Sequence, residues 1–423
     1  MPTTESVPPE PGSAPDRGLG RRALLTGGAA GLGLGAALGL GGALLGGRAL
    51  QSGGGSETDG GEAGFGGEEL GCHGAHQAGI VTAPGAHIRF LAYRLLEDTD
   101  ADALARMFNI LTGDIEALTA GEGPLADPEP ELAARPARLS ITVGVGAGLV
   151  ERVSSARRPE WLGPLPAFTR DRLGNGYDDG DLLLMVQADD LLPVAHAARM
   201  LERDLVSFAE PLWSQQGFRQ ARGAEASGTT MRNLMGQVDG TENPSPEDDD
   251  LASLIWLDGS AAGEGWLAGG SALVLRRIRM ELDTWDQVDR PGREQTIGRR
   301  LSDGSPLSAP AASADERTPS DFEATNEYGL PLIPSASHIR RAHSEDPGER
   351  IFRRAVNYEQ DGESGLLFAC YQRDPLSQFV PIQGRLDELD LLNEWITHTG
   401  SAVFAILPGF REGETLGASL FAR

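Results

Sequence analysis

The chain is organised around one stretch, Gly236-Gln237-Val238-Asp239-Gly240-Thr241-Glu242-Asn243-Pro244. It places an acid, Asp239, between two glycines and ahead of an Asn-Pro pair. Glycine lets a backbone approach a ligand closely, and Asn-Pro ends regular structure. An Asp on such a turn either caps its own backbone or serves as a working carboxylate. This stretch alone leaves both interpretations open, so the decision depends on the rest of the chain.

The size and charge of the chain limit its class. Its 423 residues are enough for two domains or one large one, and 40% of them are hydrophobic, as in ordinary globular proteins. The formal net charge is -26. Such an excess of acids argues against nucleic acid and against an anionic membrane surface, because both attract Lys and Arg. We therefore expect no nucleic-acid partner.

The first seventy residues predict export. Gly20-Arg21-Arg22 precedes an uncharged run of Gly, Ala and Leu over residues 23–45. A positive segment before an apolar one is typical of a signal peptide, and an Arg pair before a weakly hydrophobic run resembles a twin-arginine signal. The run is long enough to span a bilayer, so an uncleaved anchor is the alternative. We place the signal region at residues 1–50 and a flexible linker, rich in Gly, Ser and Glu, at residues 51–70.

The rest of the chain repeats one order of elements. In residues 71–225, strands are predicted at 88–93, 139–145 and 181–188, and helices at 102–119 and 192–205. In residues 226–423, strands are predicted at 251–257, 270–281, 350–358, 365–371 and 402–407, and helices near 282–288, 293–300 and 386–398. This order predicts an α+β fold in which helices pack on antiparallel sheets. No repeat is visible in the sequence itself.

Two further stretches carry side chains suited to a polar pocket. His338 follows a loop that is pinned by Pro331 and Pro334. Arg353 and Arg354 enter an apolar strand, where an unpaired Arg is rarely buried. Either one of the pair faces a polar pocket or its head group reaches the surface. The apolar run at residues 365–372 is suited to forming a wall of such a pocket.

The two cysteines of the chain, Cys72 and Cys370, lie far apart in the sequence. They belong to no CxxC motif and to no zinc-binding pattern. A single disulfide and two unrelated thiols are both compatible with this spacing.

Together these motifs resemble those of the dye-decolourising peroxidases, a family of haem enzymes. The resemblance rests on the GxxDG motif at 236–240, Ser337-His338-Ile339-Arg340, Arg353-Arg354 and the run at 365–372. Residues 76–80, His-Gln-Ala-Gly-Ile, are similar to the opening of the family. The resemblance implies two ferredoxin-like halves, residues 71–225 and 226–423, with antiparallel sheets and peripheral helices. It also implies a haem pocket mainly in the C-terminal half.

The resemblance implies a role for each motif residue. His338 would be the proximal ligand of the haem iron, with its other ring nitrogen held by Asp390 or, alternatively, Glu394. Asp239 would transfer a proton within hydrogen peroxide, and Arg353 would stabilise the developing negative charge. Asn243 would hold Asp239 or a water, and Arg354 is the alternative distal arginine. Phe368 and Leu366 would form walls of the haem pocket. Arg276 is expected to bind the haem propionates, and Arg277, Arg279 and Arg299 are further candidates for this role.

The implied function is a haem-dependent peroxidase that reduces hydrogen peroxide and oxidises bulky phenolic or dye-like donors by one-electron steps. The implied cofactor is one haem b per chain, and the implied partners are hydrogen peroxide, bulky aromatic reductants and the twin-arginine export machinery; a homodimer is left open. Donors too large for the pocket would need a relay, for which Trp395, Tyr371 and Tyr358 are the candidates. The alternative is an exported, deferrochelatase-like protein that releases iron from haem in iron acquisition. In both cases the expected location is extracellular or in the cell envelope or periplasm.

Overall fold

The computed structural model describes residues 64–226 and 228–422. The predicted signal region, its possible anchor and most of the predicted linker lie outside the described residues. No helix within the described ranges is long and apolar enough to cross a membrane. Main-chain hydrogen bonds already join Gly66 to Ala137 and Glu68 to Arg138. Residues before the predicted start at residue 71 therefore already contact the folded part of the chain.

The first half is a four-stranded antiparallel sheet. Its strands are β1 (His87–Leu95), β2 (Ser140–Val145), β3 (Leu182–Ala188) and β4 (Ala209–Phe218), and its helices are α1 (Ala101–Thr119), α2 (Ala147–Ser154) and α3 (Leu191–Leu205). Asp100 and Asp190 cap α1 and α3 by accepting hydrogen bonds from the first-turn amides. The strand order β2-β3-β1-β4 is that of a ferredoxin-like βαββαβ unit.

The second half repeats this arrangement. Its strands are β5 (Ser271–Met280), β6 (Phe352–Arg353), β7 (Val356–Gln360), β8 (Glu363–Gln372) and β9 (Ile396–Ile406). Its helices are α4 (Leu251–Ile255), α5 (Leu282–Trp285), α6 (Arg290–Ile297), α7 (His338–Ala342), α8 (Phe379–Leu389) and α9 (Ala418–Phe421). The order β9-β5-β8-β7 matches the order of the first sheet, and β6 pairs with the end of β8.

The two sheets close on each other. β2 pairs with β9, β4 pairs with β7, and β5 pairs with both β8 and β9, so the sheet forms a complete circle. Alternate apolar side chains, including Phe90, Leu275 and Phe404, fill its interior. The opposite face of the first sheet packs under α1 and α3. The predicted α+β fold of two ferredoxin-like halves is confirmed.

Two predicted elements are wrong in type or position. The predicted strand 251–257 is wrong, since residues 251–255 form the helix α4: Leu251, Leu254 and Ile255 bury one helical face after a run of three aspartates. The predicted helix 386–398 is α8, which already ends at Leu389. The Asp390 side chain caps a separate turn, Leu391–Glu394, and β9 begins at Ile396. β-Branched residues from Ile396 onward favour this strand.

Two further strands differ from the sequence prediction. The predicted strand 350–358 is divided into β6 and β7. Regular pairing with β8 is lost between Arg353 and Val356, although the amide of Arg354 still donates to the carbonyl of Ala369. Strand β4 has no predicted counterpart. Its buried face includes a glutamine, Gln215, so it lacks the simple apolar alternation of a half-buried strand.

Candidate active site

The first component of the site is a histidine that is held by a buried carboxylate. His338 opens α7, and its Nδ1 lies 2.6 Å from Oδ2 of Asp390. Asp390 keeps 1% of its side-chain surface accessible, whereas His338 keeps 31%. Burial lowers the pKa of His338, but the charge and the hydrogen bond of Asp390 more than offset this, so the pKa lies above its ordinary value. Nε2 has no hydrogen-bond partner among the described residues, which leaves this nitrogen available for a ligand.

The carboxylate of Asp390 is fixed by the end of α8. Its Oδ1 accepts a hydrogen bond from the amide of Leu392 at 3.0 Å. The amide of Leu391, the residue after Asp390, donates to the carbonyl of Ala336, which lies two residues before His338 in the sequence. Glu394 lies at the surface and pairs with Arg170 at 3.3 Å. The geometry therefore selects Asp390 over Glu394 as the partner of the histidine.

The second component is the turn that carries Asp239. Gly236 and Gly240 adopt φ values of 84° and 129°, which glycine reaches without strain. Asn233 supports this turn, because its Oδ1 accepts hydrogen bonds from the amides of Met235 and Gln237. Its Nδ2 donates to Asp239 Oδ2 at 3.3 Å. Within the described ranges the Asp239 carboxylate accepts no main-chain hydrogen bond, so Asn233 and not Asp239 caps the turn.

The third component, Arg353, lies next to this acid. One guanidinium nitrogen of Arg353 is 3.7 Å from Oδ1 of Asp239. The main chain of Arg353 is held by Asn243, whose Oδ1 accepts from the Arg353 amide at 2.6 Å and whose Nδ2 donates to its carbonyl at 3.2 Å. Asn243 therefore positions Arg353, whereas the sequence predicted that it would hold Asp239 or a water. Arg354 bonds to the carbonyl of Thr82 and leaves Arg353 as the arginine beside the acid.

The three components lie close enough for their charges to interact. The charges of Asp239 and Arg353 both influence the pKa of His338, the first raising it and the second lowering it. An apolar cluster links the same segments: Leu366 and Phe368 of β8 pack with Ile339, which follows His338, and with Ala355. The two predicted wall residues therefore belong to the apolar cluster that also includes the neighbours of His338 and of the arginine pair.

Arg276 lies on β5 opposite Phe368. Its guanidinium bonds to Asp171 and, at 3.0 Å, to the hydroxyl of Ser401. Its Nε is buried and has no acceptor within the described part of the chain. Arg276 thus keeps a donor for one more acceptor. The other predicted propionate arginines also have acid partners: Arg277 pairs with Glu363, Arg279 with Glu281, and Arg299 with Glu242.

Two residues that shape the site are absent from the sequence prediction. Asn233 has a recognisable signal, because an Asn three residues before a turn glycine is typical of a side chain that caps its own turn. Asp171 has no such signal, since it lies 105 residues from Arg276 in a segment without periodic structure.

Family models match the chain in two consecutive parts. The model described as Dyp-type peroxidase, N-terminal, matches residues 77–219, and the model described as Dyp-type peroxidase, C-terminal, matches residues 230–411. The chain belongs to the Dyp-type peroxidase family. The C-terminal match contains the motifs at Asp239, His338 and Arg353. The boundary between the two matches lies between β4 and the Asp239 turn.

Similar proteins agree with this family. The dye-decolorizing peroxidase of Thermobifida fusca (strain YX) is 38% identical over 367 residues, which cover 82% of this chain and 84% of the relative. The deferrochelatase of Escherichia coli (strain K12) is 30% identical over 374 residues, or 83% of this chain and 86% of the relative. The crystal structure of a DyP-type peroxidase from Cellulomonas bogoriensis has a TM-score of 0.81 and 46% identity, covering 85% of this chain and 100% of that chain.

Dyp-type peroxidases are haem proteins, and this chain is accordingly a haem peroxidase. Its residues fit a haem on three observations. His338 has a free ring nitrogen and a second nitrogen oriented by a carboxylate, as metal-binding histidines usually have. Leu366 and Phe368 form an apolar wall, and Arg276 retains a buried donor suited to a carboxylate such as a propionate.

Proposed function

We propose that the protein reduces hydrogen peroxide at one haem b per chain and oxidises bulky phenolic or dye-like donors by one-electron steps. The arrangement that carries this proposal is a carboxylate-oriented histidine that interacts electrostatically with a neighbouring Asp–Arg pair. A non-covalent haem is favoured because the chain has two cysteines and no CxxCH attachment motif. The name of the Thermobifida fusca relative supports dye-like donors.

The residues of the chain divide the work between holding the haem and handling protons. His338 binds the iron through Nε2 while Asp390 keeps Nδ1 protonated and the ring oriented. Leu366 and Phe368 exclude water, and Arg276 donates to a propionate. When bound, the haem as a whole, iron and porphyrin, would supply the two electrons needed to cleave the peroxide O–O bond.

The distal residues act on the peroxide itself. Asp239 takes the proton from one peroxide oxygen and returns it to the other, which leaves as water. The Arg353 guanidinium, 3.7 Å from the acid, stabilises negative charge on the departing oxygen. Asn243 keeps Arg353 in place through its main chain, and Asn233 keeps Asp239 directed out of its own turn.

A mutant cycle tests these roles. Asp239→Asn and Arg353→Leu are each expected to lower the rate constant for the reaction with hydrogen peroxide by about 10²–10³-fold. The double variant is expected to lose less than the product of the two effects, because the groups act as a unit. The matched controls are Asp258→Asn and Arg373→Leu, which break an exposed ion pair of 2.7 Å and leave the rate unchanged. A wild-type rate for Asp239→Asn at every pH would remove Asp239 from the mechanism.

Bulky donors are proposed to deliver electrons through Trp395. Tyr358 and Tyr371 are buried, with 0% and 2% of their surface exposed, so neither meets a donor at the surface. Trp395 is partly exposed and packs edge-on against Trp285, with 5.2 Å between the ring centroids. Trp285 and Leu366 belong to the same apolar cluster. This contact connects the surface to the proposed wall of the haem.

The deferrochelatase of Escherichia coli supports a second candidate, release of iron from haem in iron acquisition. The two functions differ in product. The haem-loaded protein is incubated with a reductant and, separately, with peroxide and a dye, while porphyrin fluorescence and chelated ferrous iron are followed. Dye oxidation without metal-free porphyrin supports the peroxidase, whereas metal-free porphyrin without peroxide turnover supports iron release.

We further propose export by the twin-arginine machinery to the cell envelope, periplasm or medium. Support comes from Gly20-Arg21-Arg22 and the uncharged run that follows, and this route carries folded proteins that have already bound a cofactor. Replacing Arg21 and Arg22 with Lys is expected to retain the protein in the cytoplasmic fraction. Export of that variant at the wild-type level would contradict the route. The mass of the exported protein distinguishes a cleaved signal from a retained anchor, and light scattering tests for a homodimer.

A further inference from the structure

A second pair of cations lines a cavity inside the barrel, next in sequence to the distal arginine: Arg219 and Arg354 are both partly buried. A small cavity of about 20 Å³ is enclosed there by apolar residues of β1, β3, β7 and β8. Two arginines, Arg219 and Arg354, also line this cavity, together with Tyr371. None of these three belongs to the peroxide chemistry described above.

The two arginines have no counter-ion in the described ranges. No carboxylate lies within 4.0 Å of either guanidinium, and the side chain of Arg354 bonds to the carbonyl of Thr82. Burial lowers the pKa of both, that of Arg354 to about 10, and Arg219 adds to this by repelling Arg354. A third arginine nearby, Arg138, is already neutralised by Asp189 at 3.2 Å. The charge of Asp239 acts on Arg219 from a distance, but neither Arg219 nor Arg354 has a carboxylate in direct contact among the described residues.

Two like charges that line one cavity and are partly removed from water are stabilised when an opposite charge binds between them. Water would hydrogen-bond to the guanidinium groups but would not neutralise them. The cavity is only slightly larger than the roughly 10–15 Å³ that one water requires, which restricts the occupant to a single small particle. Within the described part of the chain, the Tyr371 hydroxyl donates only to the sulfur of Met185, at 3.7 Å. Because a thioether sulfur is a weak acceptor, the hydroxyl can donate to an anion instead.

We propose that this cavity binds one monatomic inorganic anion of the size of chloride, held by the guanidinium groups of Arg219 and Arg354 and by the hydroxyl of Tyr371. Arg354 directly follows Arg353, and Asp239 is close enough to influence the charge of Arg219. The anion therefore stabilises the segment that presents the distal arginine from behind.

The first test is the anion dependence of thermal stability. The haem-loaded full chain is heated in sodium chloride, bromide or gluconate at one ionic strength; gluconate is too large for the cavity. The wild type is expected to melt at a higher temperature in chloride and bromide than in gluconate, because an ion that binds only the folded state stabilises it. Arg219→Met and Arg354→Met are expected to lose this difference. The control, Arg411→Met, removes an arginine with 86% of its side chain exposed and keeps the difference.

The second test does not depend on a variant that folds. Wild-type crystals grown with bromide are expected to show one anomalous scattering peak between the guanidinium groups of Arg219 and Arg354. Absence of such a peak, together with equal melting temperatures in the three salts, would overturn the proposal and assign a water to the cavity. An anion dependence that persists in both cavity variants would equally contradict it.

Discussion

Replacing Asn243 with Ala removes the contact that joins the Asp239 turn to the distal arginine. The variant loses two hydrogen bonds to the main chain of Arg353, one of 2.6 Å and one of 3.2 Å. Each such bond contributes about 0.5–1.5 kcal/mol net, so the free energy of unfolding is expected to fall by about 1–3 kcal/mol. The amide of Arg353 is also left without its acceptor, which places the loss toward the upper end.

The effect on catalysis is expected to exceed the effect on stability. The guanidinium of Arg353 is already 3.7 Å from Asp239, so a further displacement separates the two groups. A displacement of about 1 Å at a catalytic group costs on the order of 10²-fold in rate. We expect the rate constant for hydrogen peroxide to fall about 10- to 100-fold in Asn243→Ala. Haem content stays unchanged, because the His338–Asp390 contact is not altered.

Stopped-flow absorbance measures the peroxide rate, and urea unfolding measures stability. The matched control is Asn326→Ala, which also loses two main-chain hydrogen bonds, from Tyr328 and Leu330, but in an exposed turn. This control is expected to react with peroxide at the wild-type rate. If Asn243→Ala were destabilised and yet reacted as fast as the wild type, the bonds of Asn243 would not be needed to place Arg353, and our reasoning would fail.

Three further predictions concern haem affinity, the pH dependence of stability and the transfer of electrons from bulky donors. Asp390→Ala is expected to weaken haem affinity by about 10- to 100-fold, because His338 loses the bond that orients it; an unchanged affinity in haem titration would refute this. Burial and a hydrogen bond to Asp114 raise the pKa of Asp204 from 3.8 to about 8. Between these pH values the folded chain keeps a proton that the unfolded chain releases, so the free energy of unfolding falls as the pH rises. Asp204→Asn is therefore expected to raise the melting temperature more at pH 8 than at pH 5, and an equal rise at both would contradict the assignment. Trp395→Phe is expected to slow oxidation of a bulky dye without changing the peroxide rate, and equal dye oxidation would exclude the proposed relay.

Strands that are buried on both faces could be predicted from the sequence. Residues 182–188 are a nearly continuous apolar run, residues 272–275 are a shorter one, and both lie in central strands. Strand β4 could not be predicted, because Gln215 occupies its buried face and its side chain bonds to Arg277 and Gln360, which are distant in sequence. The early end of α8 is likewise set by a local cap at Asp390, which competes with an apolar pattern that continues past it.

Motif residues of the site could be predicted because each belongs to a short stretch with its own pattern. Asp239, His338 and Arg353 are three such residues, and the structure brings them close enough for their charges to interact. The sequence could not choose between Arg353 and Arg354, since adjacent residues on a strand point to opposite faces and the facing elements decide which side is which. Contacts between unpatterned segments, such as Asp171 with Arg276, also required the folded chain.

The central claim is that His338 binds haem iron through Nε2 while Asp239 and Arg353 act on the peroxide from the same pocket. The absorbance spectrum of the haem-reconstituted full chain tests it most directly, with the wild type, His338→Ala and Asp239→Asn compared at equal protein concentration. We predict a Soret band and one haem per chain in the wild type and in Asp239→Asn. In His338→Ala we predict loss of this band and its partial return when imidazole is added. A His338→Ala protein with the wild-type spectrum and haem content would contradict the account.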